Sequence, residues 1–210
     1  MKITWLGHAS FIIETGGKKI ITDPFDELVG YPAWGPEGDI VTISHDHHDH
    51  NAVNLVKGNP RVIKDTGSLA VDGIQFKGVA ACHDKANGHE RGLVTIYRIF
   101  SEGISLVHLG DLGQVLTLEQ IKEIGQVNIL LVPVGGKFTV DASDAFTITE
   151  QLKPDIIIPM HYNTPHLSFE LAPVEDFTAR FDQVVKKPYL ELNANDLKKA
   201  TKVIVLDYLS

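Results

Sequence analysis

The chain has a single cysteine, Cys82, among its 210 residues, so it cannot close an intrachain disulfide. A lone thiol is typical of proteins that work in a reducing compartment. No run approaches the roughly 18 to 20 apolar residues of a membrane-spanning helix. The apolar character of the N-terminus is interrupted by His8 and Glu14 before it reaches signal-peptide length. We therefore expect a cytoplasmic protein without a membrane partner.

Clusters of basic residues are also missing. The formal net charge is −8, and the densest basic stretches are the lysine pairs Lys18-Lys19, Lys186-Lys187 and Lys198-Lys199. A protein that neutralises several nucleic-acid phosphates needs clustered Lys and Arg side chains. The composition therefore predicts no nucleic-acid partner, and the dispersed acidic residues indicate a solvated surface.

Three common catalytic motifs are absent as well. The sequence contains no G-x-S-x-G elbow, no Walker A loop and no strand-linked G-x-G-x-x-G. Serine hydrolase, phosphate-loop and dinucleotide-binding functions therefore lose their support.

The order of apolar runs predicts an α/β protein. A meander opens the chain over residues 3–21, with Gly16-Gly17 as a hairpin turn. Further strands are predicted at 39–44, 61–64, 74–81, 93–100, 104–109, 128–132, 155–159 and 202–206, and helices at 51–56, 117–125, 142–152 and 174–181. This order suits a single domain over residues 1–210, with two sheets and helices outside.

The stretch from Pro24 to Gly38 is predicted to be a long loop that carries the aromatic residues Phe25, Tyr31 and Trp34. Long loops in compact domains often form lids or substrate walls. An aromatic loop packed on the core is the alternative, and the sequence leaves both open.

The densest group of potential metal ligands is the segment Ser44–His50, where four of the ten histidines occupy six positions. In an extended backbone His45 and His47 point to the same side and can share one metal ion. Asp49 and His50 lie past the bend and can reach a second ion. A purification-tag remnant would be terminal and uninterrupted, and this cluster is neither.

Three further ligand candidates, His83, Asp111 and His161, each stand at the carboxyl end of an apolar run. Strand ends at one edge of a sheet are where scaffolds present functional side chains. His89, in a Gly-flanked polar loop, is the competitor of His83. The predicted ligands are seven: His45, His47, Asp49, His50, His83, Asp111 and His161. They suit two divalent transition-metal ions, with zinc as first choice and manganese, nickel or iron as alternatives.

The H-x-H-x-D-H pattern of His45–His50, followed in order by His83, Gly110-Asp111 and His161, resembles the metallo-β-lactamase superfamily over nearly the whole chain. Other motifs resemble the compact metal-dependent hydrolases related to the ascorbate-phosphate lactonase branch. These motifs are Trp5–Ser10, Thr22-Asp23-Pro24, His108–Asp111, Pro133–Gly136 and His161-Tyr162-Asn163. The resemblance implies an αββα sandwich of two mixed sheets, with helices on the outer faces and the metals at one edge.

The resemblance also implies a role for each ligand. It implies that His45, His47 and His83 bind the first metal and that Asp49, His50 and His161 bind the second, with Asp111 as the bridge. Asp49 and Asp111 are the candidate catalytic residues. The family motifs place His8, Asp23 and Asn163 near the metals, where they could hold ligands through hydrogen bonds. Ordinary turn capping is the alternative for His8 and Asp23.

Two neighbouring ions can share a water and lower its pKa from about 15.7 toward about 7, which produces hydroxide at neutral pH. The expected function is hydrolysis of a small-molecule ester, lactone or thioester by a metal-bridging hydroxide. The alternatives are a phosphodiesterase acting on a nucleotide or another phosphodiester, and a non-catalytic metal-binding protein. The resemblance disfavours a redox role, because the diiron branch carries Glu at the position of His47 and adds a flavin domain. The expected partner is a small-molecule substrate, and a homo-oligomer is left open.

Overall fold

The computed structural model describes residues 1–32, 35–197 and 200–209. Its strands in chain order are β1 (Lys2–Gly7), β2 (Ser10–Thr15), β3 (Lys18–Thr22), β4 (Ile40–Thr42), β5 (Arg61–Ile63), β6 (Gly67–Val71), β7 (Ile74–Cys82), β8 (Leu93–Ser101), β9 (Ile104–His108), β10 (Ile129–Pro133), β11 (Ile156–Met160), β12 (Val184–Lys187), β13 (Leu190–Glu191) and β14 (Lys202–Leu206). The α-helices are α1 (Leu118–Ile124), α2 (Ala142–Leu152) and α3 (Glu175–Thr178).

The strands form two mixed sheets. One has six strands in the order β13-β1-β2-β3-β4-β5, and the other has eight in the order β12-β14-β11-β10-β9-β8-β7-β6. In the first, β1 to β3 are antiparallel and β3 to β5 are parallel. In the second, β6 to β9 are antiparallel, whereas β9, β10, β11 and β14 are parallel. Strands β1, β3 and β4 therefore run in one direction in the first sheet, and β7, β9, β10 and β11 do so in the second.

The main hydrophobic core lies between the two sheets and extends in sequence from Ile3 to Leu206. Every residue of β10 and β11 is buried, as expected for parallel strands that are covered on both faces. Helix α2 packs against β10 and α3, and it buries Ala145, Ile148 and Leu152 at helical spacing. Its N-terminus is capped by Asp141, whose carboxylate accepts hydrogen bonds from the backbone N–H groups of Ser143 and Asp144.

The outer face of the six-stranded sheet is covered by the loop that follows β3. Phe25, Val29 and Tyr31 from this loop pack on Leu6 and Ile21 in a second hydrophobic cluster. The described part of this loop is thus packed on the sheet. Trp34, the third aromatic residue of the predicted loop, lies outside the described residues. No helix in the described ranges has both the length and the apolar character needed to cross a membrane.

The predicted α/β class is confirmed, and most predicted elements occur in the structure with shifted ends. Two predicted helices were wrong in extent. The one at 51–56 is a single 3-10 turn at Val53–Leu55, and the one at 174–181 is helical only over Glu175–Thr178. Strands β6, β12 and β13 were not predicted. Strands β6 and β12 are sheet-edge strands with mostly exposed side chains, which gives no alternation of apolar and polar residues. Strand β13 has only two residues.

A core truncation on β10 should destabilise the protein strongly. Leu131 is fully buried, so Leu131→Ala should lower the free energy of unfolding by about 2 to 5 kcal/mol through lost burial and a cavity. Leu118, which is 86% exposed, provides the matched control, and Leu118→Ala should change stability by about 0.5 kcal/mol or less. Urea denaturation of both variants at equal metal content measures the difference, and equal losses would contradict this packing.

Candidate metal centre

The candidate ligands meet because they follow the carboxyl ends of strands, and within the eight-stranded sheet β7, β9 and β11 run in the same direction. His8 follows β1, His83 follows β7 and His161 follows β11, each with no intervening residue. Asp111 comes three residues after the end of β9. The carboxyl ends of these strands lie at one edge of the paired sheets, and the side chains converge there.

The first group of potential ligands consists of His45, His47 and His83, whose ligand atoms lie within 4.8 Å of one another. Nε2 of His45 is 2.9 Å from Nδ1 of His47. The ring of His83 is 4.7 Å from that of His45 and 5.1 Å from that of His47. Nδ1 of His45 is hydrogen-bonded to Oγ of Ser44 at 2.9 Å. Nε2 of His45 therefore remains available on the side of the His47 and His83 rings.

The second group consists of His8, Asp49, His50 and His161, again with ligand atoms within 4.8 Å of one another. Oδ2 of Asp49 is 3.2 Å from Nε2 of His8 and 3.6 Å from Nε2 of His50. The His8 ring lies 4.2 Å from the His161 ring. His8 was expected only to support ligands, and the structure places its imidazole among the potential ligand atoms.

Asp111 lies between the two groups. Its Oδ2 is 3.3 Å from Nε2 of His50, 3.3 Å from Nε2 of His161 and 3.6 Å from Nε2 of His83. One carboxylate oxygen therefore faces imidazole nitrogens from both groups.

The donor atoms of this cluster fit transition-metal ions. In the described part of the chain, several buried polar atoms of the cluster make no hydrogen bond: Nδ1 of His8, Nε2 of His50, Nδ1 of His83, Oδ1 of Asp111 and both ring nitrogens of His161. Leaving a buried polar atom unpaired costs about 1 to 3 kcal/mol, so a native protein rarely gathers so many without a ligand. Imidazole nitrogens with carboxylate oxygens are the set that zinc, manganese, iron or nickel accept.

Asp23 supports the cluster through hydrogen bonds to Ser44 and His50. Its carboxylate accepts hydrogen bonds from the Ser44 N–H at 2.7 Å and the Ser44 hydroxyl at 2.6 Å, and it pairs with Nδ1 of His50 at 2.9 Å. The ligand atoms of Asp23, His45 and His50 also fall within 4.8 Å of one another. Because both Asp23 oxygens already have these partners, the residue is placed to fix the orientation of His50.

Burial and charge shift the pKa values of the cluster in opposite directions. Burial lowers the pKa of His8 to about 4 and that of His45 to about 3, which keeps both imidazoles in the neutral, metal-binding form. Burial also acts to lower the pKa of His50, but Asp111, Asp23 and Asp49 outweigh it and raise that pKa well above its usual value. Burial would raise the pKa of Asp111, yet the His161 and His50 rings hold it well below its usual range.

Three residues of the cluster have a strained backbone conformation. His8, Asp23 and His161 have φ angles of 51°, 38° and 51°, in the left-handed region that side-chain-bearing residues rarely adopt. The His161 N–H donates to the His8 carbonyl at 3.1 Å, and the His161 carbonyl accepts from the Gly135 N–H at 3.0 Å. A Cβ at Gly135 would lie 2.2 Å from that carbonyl, so only glycine permits this close approach.

The loop after His83 is clamped by the next residue, Asp84. Its two oxygens accept four backbone hydrogen bonds, from the N–H groups of Ala86, Gly88, Glu90 and Arg91. Burial would raise the pKa of Asp84, but these bonds lower it to about 2. His89 lies on the exposed side of this loop, so the structure brings His83, and not His89, into the cluster.

The structure places the side chains of His48 and Asn163 outside the ligand cluster. His48 is exposed, 3.9 Å from Asp26. Asn163, predicted to support the ligands, is exposed, and its backbone N–H donates to the Ala172 carbonyl at 3.0 Å. No described contact joins the Asn163 side chain to the cluster.

Three positioning residues were not identified from the sequence: Ser44, Asp84 and His108. Buried His108 donates from Nε2 to the Ala9 carbonyl at 2.8 Å and accepts the Gly110 N–H at Nδ1, which fixes the turn before Asp111. Asp84, followed by a polar Gly-containing loop, carries the signal of a side chain that caps a turn. The roles of Ser44 and His108 depend on contacts between strands that are distant in sequence.

Comparison with known proteins agrees with this geometry. The β-lactamase superfamily domain matches residues 2–161. A UPF0173 metal-dependent hydrolase of Thermococcus onnurineus is 34% identical over 78% of this chain and 85% of that protein. One from Archaeoglobus fulgidus is 32% identical over 94% of this chain and 96% of that protein. A crystal structure from Thermotoga maritima, provisionally named a Zn-dependent hydrolase of the metallo-β-lactamase superfamily, superposes with a TM-score of 0.82 at 43% identity and covers 99% of both chains.

The fold and the match over most of its length make this chain a member of the metallo-β-lactamase superfamily, and the predicted αββα sandwich is confirmed. Within that superfamily it belongs to the UPF0173 metal-dependent hydrolases.

Two histidine substitutions separate the candidates for the third ligand of the first group. His83→Ala should remove an imidazole that faces His45 and His47, so metal content should fall by about one ion and turnover by about hundredfold or more. His89→Ala should keep the metal content of the wild type. Elemental analysis and activity of both variants provide the readout, and the reverse pattern would transfer the ligand role to His89.

Proposed function

We propose that this chain is a binuclear metal-dependent hydrolase that cleaves a small-molecule ester, lactone or thioester bond. His45, His47 and His83 would hold the first ion, for which zinc is the first choice. The ligands proposed for the second ion are Asp49, His50 and His161, with Asp111 between the two.

The position of Asp111 is the observation that supports this proposal best. Its Oδ2 lies 3.3 to 3.6 Å from ring nitrogens of His50, His83 and His161, residues that belong to different ligand groups. A carboxylate in that position can offset the repulsion between two cations. A closed site for one structural ion would need only four ligands and no shared carboxylate.

Bound divalent ions would acidify a water molecule and polarise the carbonyl group of a substrate. The residues of the chain provide orientation and proton handling around that chemistry. Asp49 suits the second task because its side chain is 18% exposed, whereas that of Asp111 is 3% exposed. Oδ2 of Asp49 lies 3.2 Å from Nε2 of His8.

The charge state of Asp49 is consistent with an acceptor role. Burial would raise its pKa, but the neighbouring His50 ring and the hydrogen bond with His8 hold the pKa far below its usual value. Asp49 is therefore anionic at neutral pH and can accept a hydrogen bond that orients the attacking water. His8 is neutral because burial lowers its pKa. In the tautomer that carries the proton on Nε2, it donates a hydrogen bond to that carboxylate and fixes its orientation.

A substrate screen tests the reaction class. We expect the metal-loaded protein to hydrolyse a small lactone or a thioester faster than bis-p-nitrophenyl phosphate. Preference for the phosphodiester would favour the phosphodiesterase alternative. Failure to turn over any of the three would favour a non-catalytic metal-binding protein.

Metal content provides an independent measurement. The protein should bind close to two equivalents of transition metal per chain, because the seven proposed ligands exceed what one tetrahedral ion uses. Prolonged chelation should abolish hydrolysis and lower the melting temperature, since ions that bind only the folded state stabilise it. One equivalent or less after reconstitution would refute the binuclear centre.

Substitution of the proposed bridge is the most specific test. Asp111→Asn keeps the size of the side chain but removes its charge, so we expect one site to lose occupancy and turnover to fall by about hundredfold or more. The fold should persist, because the core lies between the sheets. Asp72→Asn, at an exposed turn between β6 and β7, is the matched control. Two tightly bound metals and near-normal turnover in Asp111→Asn would rule out the bridge.

A further inference from the structure

A wall of two aromatic side chains extends outward from the metal centre. The Phe169 ring meets the His8 ring edge-on at 5.9 Å, and the Phe138 ring meets that of Phe169 edge-on at 5.7 Å. Both phenylalanines are only partly buried. They therefore present apolar surface that starts beside the ligand cluster, and we call this pair the aromatic wall.

Two cations stand at the far end of the aromatic wall. The Arg91 guanidinium carbon lies 5.6 Å from the centre of the Phe138 ring, and the Lys137 ammonium lies 5.2 Å from the same centre. The Lys137 ammonium also donates to the Glu170 carbonyl at 3.4 Å. Arg91 has Glu90 at 3.7 Å, and that carboxylate side chain is 65% exposed, so the pair is weak and screened by solvent.

The backbone of Arg91 is fixed relative to the metal ligands. Its N–H donates to Oδ2 of Asp84 at 2.8 Å, and Asp84 directly follows His83. The His83 N–H in turn donates to the Gly92 carbonyl at 3.0 Å. The loop is thereby closed at its base, and Arg91 is held by the same clamp that positions a proposed ligand.

A second cation of the loop after His83, Lys85, has a different environment. Lys85 pairs with Asp144 at the N-terminal end of α2 at a distance of 2.6 Å, so its charge is already matched. Arg91 and Lys137 are instead combined with apolar ring surface. A flat guanidinium over an aromatic ring leaves its N–H edge able to bond a carboxylate in a bidentate manner.

We propose that the aromatic wall and Arg91, assisted by Lys137, bind the distal end of a substrate that carries a carboxylate. The scissile bond lies at the metal centre, an apolar spacer lies along Phe169 and Phe138, and the carboxylate reaches Arg91. The Lys137 ammonium already donates to the Glu170 backbone carbonyl, so Arg91 is the main partner of the carboxylate. This inference rests on the proposed hydrolase function and adds the substrate class to it.

Two matched ester pairs test the inference on the metal-loaded enzyme. Mono-4-nitrophenyl glutarate is compared with 4-nitrophenyl pentanoate, and mono-4-nitrophenyl suberate with 4-nitrophenyl octanoate, so each pair differs by a carboxylate in place of a methyl group. We expect kcat/KM to favour the carboxylate ester about five- to tenfold in at least one pair, which is the range for a charge-assisted bond near solvent. Arg91→Ala should bring that ratio close to one, mainly through a higher KM.

Two controls separate recognition from a structural effect. Lys85→Ala, a cation removed from the same loop, should keep the wild-type ratio. Arg91→Lys should restore part of the ratio, because it returns the charge without the planar fork. An Arg91→Ala enzyme that keeps the wild-type ratio would overturn the inference, and so would a wild-type ratio near one in both pairs.

Failure of the proposed function gives a different result. Hydrolysis of all four esters without preference would leave that function intact while the inference falls. If no ester is hydrolysed, calorimetry of glutarate and pentanoate binding to the metal-loaded protein decides the inference. We expect glutarate to bind more tightly in the wild type and to lose that advantage in Arg91→Ala, and equal affinities in the wild type would refute carboxylate recognition.

Discussion

Charge compensation around Asp111 governs the architecture of the metal centre. A buried carboxylate is costly unless opposite charge and hydrogen-bond donors surround it. Here Asp111 is buried and is approached by three imidazole rings from separate segments of the chain. Each ring is itself desolvated, so the cluster is stable only when all its members are placed together. Cations bound in this cluster would complete the same compensation.

The surrounding backbone is arranged to satisfy that requirement. Left-handed residues at His8, Asp23 and His161 turn the chain sharply at the ends of three strands. Gly135 lets its loop lie directly on the His161 carbonyl. Asp84 fixes the neighbouring loop through four backbone hydrogen bonds. Such strain persists where the rest of the fold determines the local conformation, which is common at functional sites.

The fold around the centre also explains which predictions succeeded. The buried strands β10 and β11 were identified because continuous apolar runs bounded by polar residues indicate them. The exposed strands β6 and β12 carry no such pattern and were missed. The short helix after Val174 was predicted too long, because its helical periodicity continues in the sequence past the point where the chain leaves the helix at Ala179.

The sequence by itself determined the superfamily, the fold class and the candidate metal ligands, since the histidines and aspartates of His45–His50 are close in the chain and their donor atoms define the chemistry. Only the tertiary structure decided that His8 lies beside Asp49 and that Arg91 faces Phe138. These residues come from loops far apart in sequence, and their contacts depend on the order of strands within each sheet and on how the two sheets pack. Side-chain periodicity reports which face of a strand is buried, but it contains no information about which distant loop will lie next to it.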